Sequence, residues 1–152
     1  MPIKIQLKDI FLKLYNFGLL EKKKSEINQK KIRSIEWDAV KNYIALNSTF
    51  LDLGCGSGYA MRKAKKEFNC SCYGIDPNPG KYGVNRYTSN SFDGLNIQKG
   101  FSEKINFEKK KFDIIYCSHV LEHVNDEILS LKEMKRVLKD NGTLILGMPT
   151  SE

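Results

Sequence analysis

The stretch Thr49–Ala60, TFLDLGCGSGYA, constrains the fold more than any other part of the chain. A short apolar β-run, Phe50-Leu51-Asp52-Leu53, breaks into glycines at three alternate positions. A helical pattern follows at once, with Ala60, Ala64 and Phe68 on one face. Strand, glycine turn and helix in that order let a nucleotide-like ligand lie across backbone N–H groups at a helix start. Gly54, Gly56 and Gly58 lack a Cβ, so the turn can reach φ > 0 and a ligand can approach the main chain closely. The informative departure is Asp52, a carboxylate inside the strand. A dinucleotide site keeps that strand apolar because a phosphate sits just beyond it. An acid there repels a pyrophosphate and attracts an ammonium or sulfonium ligand.

Around this centre the chain alternates strands and helices. Ile3, Leu7, Ile10, Phe11, Leu14 and Phe17 stand at helical spacing in residues 3–20, as a helix packed on the domain or a flap over its ligand. A charged linker, Leu20–Asn28, follows. A second helix is predicted from about Gln29 to Ala45, burying Ile32, Ile35, Val40 and Ile44 beside Trp37. Beyond the glycine turn, Cys70–Ile75 reads as a strand ending in Asp76-Pro77. Asp76 lies about 20 residues past the glycines, the separation of an acid that bonds two ribose hydroxyls. A sulfonium and a ribose together describe S-adenosylmethionine. Residues 78–94 read as a loop, and Leu95–Gln98 and Phe112–Cys117 as further strands. Asn125 to Leu138 forms an amphipathic helix with Asn125 as N-cap, and Thr143–Met148 a fifth strand. This pattern gives an α/β fold, a doubly wound, mainly parallel sheet of about five strands.

With 152 residues, one core is expected. Residues 1–28 are the N-terminal helix and linker, and 29–152 the ligand-binding domain. The net charge of +7 comes mostly from lysine, in runs such as Lys109–Lys111 and Lys132–Lys139. With no aromatic residues interleaved in those runs, they read as a solvated surface, not a nucleic-acid site. Cys55, Cys70, Cys72 and Cys117 lack disulfide or zinc spacings and read as reduced, buried thiols of a cytoplasmic protein.

Four segments in order, FLDLGCGSG, YGIDPNP, FDIIYCSHVLEHV and LKDNGTLILGMP, resemble the class I S-adenosylmethionine-dependent methyltransferases over residues 36–149. The resemblance is to the branch that includes ubiquinone- and menaquinone-pathway enzymes. It implies that Asp52 and the backbone of Gly54, Cys55, Gly56 and Gly58 hold the methionine end of the cofactor. Asp76 would accept the ribose hydroxyls, with Pro77 shaping the turn. A backbone N–H at Ser102 would meet the adenine, and Ser118 and His119 would face the methionine carbons and the reacting methyl. Where relatives often carry an acid for the adenine amine, this chain has Phe101. The amine is then left to Glu103 or another group, and Phe101 to packing on the ring.

His119 and His123 flank this site, and each is a candidate general base; a backbone-bonding role for His123 stands beside that reading. His119, Glu122 and His123 also have zinc-protease spacing, but a strand ends at about Cys117, where that motif needs mid-helix. Some ubiquinone-pathway enzymes use Glu-x-x-Glu-His for a divalent metal; His119 replaces the first glutamate, so no metal is expected. The resemblance implies methyl transfer to a small-molecule acceptor, with no specific nucleic acid. Its rivals are an inactive cofactor-binding remnant acting through a partner chain and an NAD-binding oxidoreductase. Full class I members continue past the fifth strand with a helix and two more strands. The segment ending at Glu152 therefore predicts either a homodimer through residues 143–148 or a fragment of a longer chain.

Overall fold

The computed structural model describes residues 29–81 and 94–148. The helix expected over 3–20, the linker after it and most of the 78–94 loop lie outside the described residues.

Helix α1 (Gln29–Val40) runs into a 3-10 turn (Lys41–Tyr43) and leads to β1 (Thr49–Leu53). Helix α2 (Tyr59–Phe68), β2 (Ser71–Asp76), β3 (Asn96–Lys99) and β4 (Phe112–Ser118) follow. A 3-10 turn (Leu121–His123), α3 (Glu127–Val137) and β5 (Leu138–Gly147) complete the order. The five strands form one sheet in the order β3-β2-β1-β4-β5, and every pairing is parallel. The expected α/β architecture is therefore present.

Alternation along the central strands builds two cores, one on each face. Phe50, Ile114 and Tyr116 point to the face covered by α1 and α2, where they meet Trp37, Ala60 and Ala64. Leu51, Leu53, Ile115 and Cys117 point to the other, where they meet Met134 and Val137 of α3. Asp52 falls on the first face by the same alternation, and that places a carboxylate beside α1.

Three sequence expectations are revised. In α1 the most buried side chains are Glu36 and Trp37, while Ile32, Ile35 and Val40 are half-exposed. Trp37 fixes the helix: its indole N–H donates to Glu67 Oε2 at 2.8 Å, and its ring meets Phe68 edge-on at 6.3 Å. The N-cap of α3 is Asp126, not Asn125, because Asp126 Oδ1 accepts the Leu129 N–H at 2.8 Å. Strand β5 begins at Leu138, directly after α3, with an irregularity in its register before Thr143.

Candidate cofactor site

The C-terminal ends of β1, β2 and β4 open into a cavity of about 660 Å³, a size that suits a small organic ligand. Asp52, Gly54, Cys55, Gly56, Asp76, Pro77, Ser102, Ser118, His119 and His123 all line it. Of the residues singled out from the sequence, Gly58 does not. It is the N-cap of α2, left-handed at φ 76°, and a Cβ there would lie 2.6 Å from Leu95 Cδ1. Its role is to turn the chain into the helix.

Asp76 closes the glycine turn. Its Oδ2 accepts the Gly56 N–H at 2.8 Å, its Oδ1 accepts the Asn78 N–H at 2.7 Å, and the side chain is buried. A carboxylate offers about four lone-pair sites, so two such bonds leave each oxygen able to accept a hydroxyl. Gly56 itself sits at φ 51°, a conformation that L side chains take at a cost.

Asp52 is 3% exposed, and no protein donor bonds its carboxylate among the described residues. Burial pushes its carboxyl up to about 8; the nearby Arg33 charge opposes this shift and Asp76 adds to it. A buried acid without a donor, facing a cavity, fits a cationic ligand group. The α-ammonium of a methionine moiety is such a group, and Asp76 with the open turn suits the nucleoside half. The residues present therefore fit S-adenosylmethionine.

The wall built from residues 100–103 is more heavily bonded than the sequence suggested. Ser102 is buried and its hydroxyl meets that of Ser130 at 3.0 Å. Glu103 Oε1 accepts the Asn125 N–H at 3.1 Å, so this carboxylate is already engaged. Phe101 lines the cavity yet is 58% exposed, which places it at the rim.

The opposite wall comes from α1, which sequence reasoning had credited only with apolar packing. Glu36 is 7% exposed and accepts from Arg33 Nη1 at 2.7 Å, while its other oxygen meets His119 Nε2 at 2.8 Å. Burial works against the Glu36 charge, but the His119 bond and the Arg33 charge win and hold its carboxyl below the usual range. His119 Nδ1 lies 3.5 Å from Glu122 Oε1. The His119 backbone is left-handed at φ 58° and its N–H donates to Gly147 O at 2.9 Å. A bulky residue held there costs energy, and such strain gathers at working sites. The available signal was Arg33 and Glu36 at i, i+3 spacing beside Trp37, a charged pair on a helix face that must be buried. Tyr116 also lines this wall, and burial raises its phenol.

Residues 51–146 match a family model described as "Methyltransferase domain". The tRNA U34 carboxymethyltransferase of Nautilia profundicola is 36% identical over 115 residues, covering 74% of this chain and 38% of that protein. The ubiquinone biosynthesis O-methyltransferase of Pelagibacter ubique is 30% identical over 128 residues, covering 79% of this chain and 52% of that protein. Among solved structures, an S-adenosylmethionine dependent methyltransferase from Mesorhizobium loti superposes with a TM-score of 0.58 at 23% identity. That match covers 73% of this chain and 51% of that one and shows the shared fold. The chain thus spans between about a third and about half of the curated relatives it matches.

The expectation of a small-molecule acceptor with no specific nucleic acid is overturned by these relatives, several of which carry a tRNA-modifying name. The physical reason is that the three motif segments that line the cavity, FLDLGCGSG, YGIDPNP and FDIIYCSHVLEHV, lie on the cofactor side of the reaction. They report the donor half of the reaction and not the acceptor. The fold, the ordered motifs and the family match together show that the chain belongs to the S-adenosylmethionine-dependent methyltransferase family.

Proposed function

We propose that this protein transfers a methyl or carboxymethyl group from an S-adenosylmethionine-type donor to a tRNA nucleoside. The observation that carries this reading is the 36% identity over 74% of the chain to a protein named tRNA U34 carboxymethyltransferase. The cytoplasm suits it, since its four cysteines are free thiols.

When bound, the cofactor supplies an electrophilic carbon on a sulfonium. The residues of this chain orient it. Asp52 receives the ammonium, the Gly54–Gly56 backbone lies along the methionine end, and Asp76 takes the ribose hydroxyls. Ser102 offers its backbone N–H to the adenine, while Pro77 and Cys55 shape the walls. Ser118 and His119 face the carbon to be transferred. Sulfonium chemistry needs orientation more than activation, and well-aligned attack contributes up to ~7–11 kcal/mol. His119, clamped by Glu36, and His123 stand where an acceptor hydroxyl would shed its proton. Incubating the protein with tRNA isolated from cells that lack it and S-adenosylmethionine, or its carboxymethyl analogue, followed by nucleoside mass spectrometry tests this reading. A methyl or carboxymethyl increment on a uridine-derived nucleoside supports it, and unmodified tRNA with both donors contradicts it.

A further inference from the structure

An exposed aromatic side chain at the rim of the cavity stands beside a helix whose outer face is cationic. Phe101 is 58% exposed, and Ile128 and Leu129 on the first turn of α3 are 62% and 42% exposed. The two segments are bound to one another. Ser102 meets Ser130, Glu103 accepts from Asn125, Glu133 accepts the Ile105 N–H at 2.9 Å, and Arg136 Nη2 donates to Ile105 O at 2.6 Å. They form one rigid platform beside the opening.

Charge on this platform is unbalanced. Ile128, Lys132 and Lys135 are spaced i, i+4, i+7 and share the exposed face of α3, which is about 16 Å long. Lys104 stands three residues past Phe101, and its N–H closes that turn on Phe101 O at 3.2 Å. None of Lys104, Lys132 and Lys135 pairs with a carboxylate among the described residues. The carboxylates nearby are largely committed: Glu103 to Asn125, Asp126 to the α3 cap, and Glu133 to Arg136, leaving Glu127 exposed. An exposed ring at the mouth of a site, with lysines that pair with no carboxylate on its own turn and on the outer face of the helix bonded to it, suits single-stranded nucleic acid.

We propose that this platform is the RNA-docking surface, with Phe101 stacking on an unpaired base next to the acceptor and Lys104, Lys132 and Lys135 meeting the phosphates. It rests on the reading of tRNA as the acceptor. The pairing of aromatic and cation is invisible in the lysine runs of the sequence because the segment that carries Phe101 meets α3 only through the fold, at Ser102 and Ile105.

Fluorescence anisotropy with a labelled tRNA transcript tests it, alongside calorimetry with S-adenosylhomocysteine. Phe101→Ala should weaken tRNA binding about 5- to 100-fold, more than it weakens S-adenosylhomocysteine binding, and Phe101→Tyr should restore it. The triple variant Lys104→Gln, Lys132→Gln, Lys135→Gln should lower the slope of log K against log salt by about 2, at about 0.7 per lost phosphate contact. Its affinity for S-adenosylhomocysteine should stay at the wild-type value. Wild-type binding that no variant changes overturns this surface and leaves tRNA as acceptor standing. Equal losses for both ligands in Phe101→Ala make it a cofactor residue and overturn the stacking. A wild-type protein that does not bind the transcript overturns both readings.

Discussion

Asp76 Oδ2 accepts the Gly56 N–H at 2.8 Å, so the acid read as the ribose acceptor also holds the glycine turn in shape. One side chain therefore serves fold and ligand together. Asp76→Ala should weaken S-adenosylhomocysteine at least about 10-fold and also lower stability by about 1–3 kcal/mol, because the buried Gly56 N–H and the part-buried Asn78 N–H lose their acceptor. Calorimetry and urea unfolding on the same variant read the two effects. A variant of native stability would mean that the turn stands without this clamp.

Gly56→Val should abolish cofactor binding. Its φ of 51° excludes a β-branched side chain in ordinary geometry, and the turn lines the cavity. Circular dichroism would establish that the variant folds, and calorimetry would then show no binding. Normal affinity in a folded Gly56→Val would place the cofactor elsewhere.

Asp52 predicts a pH dependence of known sign. Its carboxyl, raised to about 8 by burial, is neutral in the fold where the unfolded chain, at 3.8, is already ionised. The stability it contributes is complete below about pH 4 and is lost as pH rises through about 8. Asp52→Asn cannot ionise, so its melting temperature should gain on the wild type across that window. The gain should be at least about 1 kcal/mol, roughly 2–4 °C. At about pH 6 an α-ammonium ligand is charged, and its binding should expel the Asp52 proton. Calorimetry in buffers of different ionisation enthalpy measures that release. A buffer-independent binding enthalpy would contradict it.

Glu36 behaves with the opposite sign. Its carboxyl is held below 4.5, so it stabilises the fold above that pH and the contribution is lost on acidification. Glu36→Gln should cost about 1–3 kcal/mol near neutrality, since it removes the buried counter-charge that Arg33 and His119 face, and the gap should close on acidification below 4.5. If His119 is positioned through Glu36, kcat should fall while KM for the cofactor changes little. Parallel pH–stability curves for the two proteins would contradict the assignment.

The glycine turn, Asp52 and Asp76 were legible in the sequence because each is fixed by its position at the end of a strand. Arg33 and Glu36 were not, since Glu36 meets His119 across 83 residues and only packing brings them together. Phe101 lines the cavity where the sequence reading put it, but its 58% exposure was not legible, because the bridge to Lys104 that shapes this turn has no sequence signal. The acceptor was misread for a related reason: Asp52 and Asp76 face the cofactor, and nothing in their spacing depends on what receives the transferred group.

The central claim is that the cavity between β1, β2, β4 and α1 takes S-adenosylmethionine through Asp52 and Asp76. Isothermal titration of the wild type, Asp52→Asn and Asp76→Ala with S-adenosylhomocysteine tests it most directly. The account predicts a single site in the wild type, with affinity lower by about 10- to 100-fold in each variant. No binding by the wild type, or the same affinity in all three proteins, would contradict it.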